Sequence, residues 1–207
     1  MTVLKSPLFF TLIRRAQTLF SMPKQGLATG RFGKQLYDYC KKADLPFDVY
    51  YDHGDKNVDP NVAATKGFFG KTVSNLNRLA DVDVIVGSND KAVLVIEIEE
   101  RPTSPKKILG DAFAIMMCNK FAVKVGDIQK TYDVDEDTKL MLACYFQPKG
   151  YRLEKTQNLI DRLRKFEEFK GGIVGKNICL ISENDIQKLM EKLRIKVIDY
   201  MHFIFQC

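Results

Sequence analysis

Apolar and polar residues alternate in two runs between Asp81 and Glu100, first along Asp81-Val-Asp83-Val-Ile-Val and then along Ala92-Val-Leu-Val-Ile-Glu97-Ile-Glu99. A period of two is that of a half-buried strand. The phase puts Val82, Val84 and Val86 on one face, and Asp81 and Asp83 with Ile85 on the other. In the second run Leu94, Ile96 and Ile98 oppose Glu97 and Glu99, which share their face with Val93 and Val95. Gly87-Ser88-Asn89-Asp90 between the runs tolerates the backbone angles of a tight turn. A hairpin over about 80–99 therefore sets Asp83 beside Glu97 or diagonal to it.

The same patterning predicts the other elements. Phe9, Leu12, Ile13, Ala16, Leu19 and Phe20 make a helical stripe over about 6–20, and a second helix is expected over about 31–43. Phe47-Asp-Val-Tyr-Tyr51 reads as a strand and 53–68 as a loop. Thr103-Ser104-Pro105 is a good helix start, and Ile108, Leu109, Phe113 and Met116 or Met117 give the apolar face of a helix from Lys106 to about Asn119. An acidic connector over 126–138 leads to Leu140–Phe146, an unbroken apolar run expected to be a buried strand parallel to its neighbour. A helix over 152–169, a strand over 177–181 and a helix from Ser182 to about Leu193 follow, with 196–205 as a last edge strand. Strands interleaved with helices indicate an α/β fold with a mixed sheet flanked by helices. Residues 1–207 read as one domain with a C-terminal αβα extension from about 147.

Charge adds one asymmetry. The net charge is +6, and residues 1–37 carry Lys5, Arg14, Arg15, Lys24, Arg31 and Lys34 with no acid. That start reads as the first helix of the fold, with a targeting segment or a DNA-contacting arm as alternatives. No apolar run reaches the roughly 18 residues of a membrane span. Five widely spaced cysteines without a C-x-x-C pair, and only two histidines, argue against structural zinc and for a reducing, cytoplasmic location.

Helix, three strands, helix, strand, with Asp83 opening the second strand and Glu97-Ile98-Glu99 ending the third, resembles the PD-(D/E)XK nuclease superfamily. The resemblance implies a restriction-endonuclease-like αβββαβ core over about residues 6–146, while the motif itself spans about twenty residues. It also implies a magnesium-dependent endonuclease acting on double-stranded DNA, with manganese as a substitute, most naturally a type II restriction enzyme working as a homodimer. A junction-resolving or repair nuclease is the alternative within that class. A catalytically inert nucleic-acid-binding module of the same fold is the alternative outside it. Two positions depart from the family pattern: Val82 stands where proline is frequent, and Glu99 where lysine is usual.

The chemistry fits those residue types. Phosphodiester hydrolysis needs an activated water and neutralisation of charge on phosphate, both supplied by a hard cation. Magnesium takes oxygen ligands, one or two of them carboxylates. Asp83 and Glu97 are the expected metal ligands, with the Ile98 carbonyl, and Asp83, Glu97 and Glu99 the expected catalytic set. Lys106 and Lys107, opening the next helix, are the leading DNA contacts, and either is in a position to replace the missing motif lysine. Lys71 and Arg78 are further DNA contacts, within a region 53–78 that also holds Lys56, Lys66, Phe68 and Phe69. Asp48, Asp52 or Asp55 is available as an additional upstream acid. Asp81 and Glu100 read as bystanders, Glu100 pairing with Arg101 at the surface. His53 reads as a turn residue, with contact to metal or substrate as the alternative.

Gly70-Lys71-Thr72 lacks the first glycine and preceding strand of a P-loop. Asp133-Val-Asp135-Glu-Asp137 starts like a calcium loop, but Thr138 replaces the needed glycine and Cys144 the bidentate glutamate.

Overall fold

In the computed structural model, residues 26–146, 152–165 and 172–206 are described. The helix expected over 6–20 lies outside them. Among the described residues, four helices flank an open mixed sheet. Helix α1 is Leu27–Lys42, and strand β1, Asp48–Tyr51, follows it. Strands β2 (Thr65–Phe68), β3 (Arg78–Val82), β4 (Val84–Ser88) and β5 (Lys91–Glu99) lead to α2 (Pro105–Met116). Strands β6 (Lys120–Val125), β7 (Ile128–Asp133) and β8 (Lys139–Tyr145) precede α3 (Arg152–Leu163), β9 (Ile178–Glu183) and α4 (Ile186–Gln206).

The central array runs β1-β4-β5-β8-β9. Its first two pairings are antiparallel and its last two parallel. The remaining strands form an antiparallel wing, β3-β2-β6-β7, that joins β5 through the single pairing Lys91↔Asp133. The unbroken apolar run of β8 follows from its place between β5 and β9 with both faces buried, and it is parallel to β5 as expected.

Both sides of the array are covered. Val84, Val86, Leu94, Ile96 and Ile98 meet Phe32, Leu36 and Cys40 of α1, and Leu189, Leu193, Val197 and Met201 of α4. Ile85 and Val95 meet Ile108, Ala112, Ile115 and Met116 of α2, and Ile160 and Leu163 of α3. Fully burying each such side chain stabilises by ~1.5–3 kcal/mol. The β4–β5 hairpin is thus central, not a solvated edge. Its turn is Asn89-Asp90, both at positive φ (50° and 61°), which suits the twist of the two strands.

Three expectations about the elements are corrected. The stretch 120–133 is a hairpin, and the connector expected over 126–138 is mostly its turn and second strand: Val125↔Ile128 pairing leaves Gly126-Asp127 as a two-residue turn, Gly126 at φ 58°. The tail is not an edge strand. Leu189, Leu193, Val197 and Met201 recur every four residues and are completely buried, so α4 continues unbroken to Gln206. Finally, the chain bends at Asp83, between β3 and β4. The bend interrupts the alternation, and Val82 packs with Ile85, not with Val84 and Val86.

Among the described residues no helix is long and apolar enough to cross a membrane. Cys40, Cys118, Cys144 and Cys179 are free thiols.

Candidate functional site

Strand β5 places the acids. Its face carrying Val95 lies under α2, and two further steps of alternation bring Glu97 and Glu99 onto that face at the strand's end. The register Val84↔Ile96 sets Asp83 across from Glu97. The bend turns Asp83 inward, where Oδ2 accepts the Ile98 backbone N–H at 2.7 Å. Helix α2 supplies the opposite wall. Ser104 caps it, its Oγ accepting from the Lys107 N–H at 3.2 Å as the Thr-Ser-Pro start requires. One turn apart on the same side stand Lys107 and Asp111, whose Nζ and Oδ2 are 3.0 Å apart.

Lys107 Nζ also donates to Glu99. A cation is therefore present where the motif lysine is missing from β5, delivered by the helix eight residues later. Glu97 lacks such a partner. Its Oε2 is shut off from solvent, with no hydrogen-bond partner among the described residues. One ligand oxygen each from Glu97, Glu99 and Asp111 lies within 4.8 Å of the others. The cluster unites Glu97 and Glu99 of the expected set with Asp111 of α2, and Asp83 is not a member of it.

The cluster opens into a cleft of about 220 Å³ whose lining includes Asp52, His53, Asp81, Asp83, Arg101 and Lys107. His53, at φ 64°, brings Nε2 to 3.7 Å from Asp83 Oδ1. Of the three upstream acids considered, Asp52 reaches this cleft. Asp48 instead accepts from Tyr132 and Lys130, and Asp55 accepts from the Asn57 N–H within its own turn.

The electrostatics follow from burial and crowding. Burial pushes the Asp83 carboxyl up to about 6, against the opposing pull of the Ile98 N–H and His53, with Asp52 and Glu100 adding to the rise. Glu97 is raised well above its ordinary range, first by burial, then by Asp83, Asp111 and Glu99. Burial works to lower Lys107, but its hydrogen bonds to Glu99 and Asp111 prevail and hold it firmly protonated. A protein gains nothing in stability from buried unpaired carboxylates. A hard cation would satisfy the orphaned Glu97 oxygen and relieve this repulsion.

The other residues singled out from the sequence divide. Lys106 is exposed beside the cleft, and Lys71 is exposed in the turn after β2. Neither lines the cleft. Arg78 is committed to Asp81 through a two-pronged ion pair, its Nε at 3.0 Å from Oδ1. Glu100 is no bystander: its carboxylate accepts the backbone N–H groups of Gly26 and Thr29 and so caps α1. Asp111 escaped sequence reasoning, although its spacing of four from Lys107 and three from Ile108 placed it at the border of the apolar stripe.

Comparison of the chain with protein-family models, with curated proteins and with solved structures gives no match. The chemistry therefore rests on the geometry alone.

Proposed function

We propose that the chain is a divalent-metal-dependent endonuclease with a restriction-endonuclease-like core, cutting duplex DNA at the Asp83–Glu97–Glu99 cleft. The observation that carries this reading is Glu97, one oxygen of which is buried without a partner, while one carboxylate oxygen lies within 4.8 Å of Glu99 and Asp111 and the group is crowded by Asp83. Supporting it, α1, β1, β4, β5, α2 and β8 follow the order of elements that the resemblance implies, with β2–β3 and β6–β7 as additions.

The residues fit magnesium, which favours carboxylate oxygens, and manganese would substitute. Asp83 and Glu97 would hold the ion, with Asp111 as a further oxygen donor. When bound, such a cation neutralises charge developing on the phosphate and acidifies water. The chain's own groups do the remainder. Glu99, oriented by Lys107, is placed to accept a proton from the attacking water. The Lys107 ammonium faces the cleft and opposes charge on a non-bridging phosphate oxygen. His53 and Arg101 on the rim are positioned to fix the substrate backbone. Cutting both strands calls for two such sites, so the working unit is a homodimer, with a type II restriction enzyme as the parent class.

Supercoiled plasmid incubated with the protein and magnesium tests this. Discrete linear fragments support a restriction enzyme, and branch-selective cutting or nicking supports a junction-resolving or repair nuclease. Binding without breakage that is the same for wild type and Asp83→Ala refutes hydrolysis.

A further inference from the structure

The two additions to the core, β2–β3 and β6–β7, do not serve the acid cleft directly, yet they assemble into one wing. Paired residues of an antiparallel ladder project from the same face. Lys66 pairs with Ala122 on one side and Asp81 on the other, and Lys124 lies two residues beyond Ala122. One wing face thus carries Lys124, Lys66 and Asp81. A groove of about 840 Å³ runs over it, with Lys56 from the β1–β2 connection, Lys66, Lys124, Ser74, Asn75 and Gln129 among its lining residues. Among the described residues no carboxylate lines this groove, whereas the neighbouring cleft is dominated by them.

The two adjoin at one cross-strand pair, Lys66 lining the groove and Asp81, opposite it, lining the acid cleft. One strand spacing across and two residues along the chain separate Lys66 from Asp83, on the order of 8 Å. That is roughly two to three phosphates at ~3.4 Å of rise per strand. The acid at the junction is already compensated, since Arg78 grips Asp81. A polyanion leaving the cleft therefore meets a paired carboxylate and then three cations in succession.

We infer that this lysine-lined groove is the track for the nucleic-acid backbone on one side of the scissile phosphate. The inference rests on the nuclease reading for its direction, towards Asp83, but not for its ligand chemistry, which is a run of backbone phosphates. Ser74, Asn75 and Gln129 are neutral hydrogen-bonding partners for phosphate and sugar oxygens, and such contacts position a duplex without reading its sequence.

The test uses the whole chain with labelled duplex DNA, calcium replacing magnesium, and fluorescence anisotropy between 50 and 200 mM salt. Each phosphate neutralised contributes about −0.9 to the slope of log K against log salt. The triple variant Lys56→Gln, Lys66→Gln, Lys124→Gln should flatten that slope by about 2–3 and weaken binding at least ~10-fold. The corresponding Lys→Arg triple should keep both. The control is Lys41→Gln with Lys42→Gln, at the far end of α1, roughly 24 Å of helix from the cleft; it should change neither. A triple Gln variant that melts like the wild type and keeps its affinity and slope overturns the inference, as does an oligoglutamate peptide that competes as well as DNA. Cleavage by a protein whose binding ignores these lysines would spare the nuclease reading and remove the groove. Lysine-dependent binding without cleavage would do the reverse.

Discussion

Replacing Asp83 with asparagine should make the metal-free protein more stable at pH 7.5. The folded carboxyl titrates at about 6, against 3.8 for the free side chain. As pH rises, the unfolded chain releases this proton first, so stability is lost progressively from about pH 4 to about pH 6 and stays lost above. A displacement of that size corresponds to ~3 kcal/mol at neutral pH. The side chain is only 14% exposed, so solvent screening removes little of it. Asparagine keeps a carbonyl oxygen to accept the Ile98 N–H, so that hydrogen bond survives. A gain of ~2–3 kcal/mol should raise Tm by about 5–10 °C for a chain of this size. Thermal denaturation in EDTA at pH 7.5 and pH 4 measures it; the gain should vanish at the lower pH. Added magnesium should raise the wild-type Tm and leave the variant unmoved. Equal destabilisation of the variant at both pH values, or an undiminished response to magnesium, would refute the account of Asp83 as a buried, repelled metal ligand.

Other outcomes are equally specific. Glu97→Gln should abolish plasmid cleavage and cut the magnesium-induced rise in Tm to under half, read by calorimetry, because it removes the charge on the orphaned oxygen. Lys107→Ala should destabilise the metal-free protein by ~1–3 kcal/mol in urea denaturation, since it leaves Glu99, only 14% exposed, without its cation beside Glu97. It should also slow cleavage by about 10²-fold, measured under single-turnover conditions. Glu100→Ala should cost ~0.5–2 kcal/mol in urea denaturation by stripping the cap from α1. Gly33→Ala would drive a Cβ into the Tyr51 ring and should destabilise by ~1–3 kcal/mol or more, with the same assay as the check.

Local signals that act alone were legible in the chain. The Thr-Ser-Pro start of α2, the apolar run of β8 and the positive-φ turn at Asn89-Asp90 each emerge in the structure from their own chemistry. What escaped depends on distant partners. Strand β7, Ile128-Gln-Lys-Thr-Tyr-Asp, is largely polar, and it holds as a strand through β6 and the buried Tyr132. The end of α4 alternates weakly in sequence, but the sheet face beneath it selects the four-residue spacing of Leu189, Leu193, Val197 and Met201. In the site, Glu97 and Glu99 follow from the alternation of β5, which sequence encodes directly, while Asp83 sits at the bend just before β4. Asp111 arrives from a helix face, and nothing in its immediate neighbours distinguishes it from a surface residue, whereas His53 arrives from an acidic loop that offered contact with the site as the alternative to a turn role.

The end of β5 distributes its carboxylates by parity. Glu97 and Glu99 look towards α2, while Glu100 reaches the start of α1 on the other side of the sheet. Inserting or deleting one residue between Ile96 and Glu100 would exchange these partners, uncapping one helix and emptying the cluster in a single step. This stretch can therefore drift by substitution but not by odd-numbered changes in length, so the mechanical anchoring of two helices and the chemistry of the cleft stand or fall on the same count of residues.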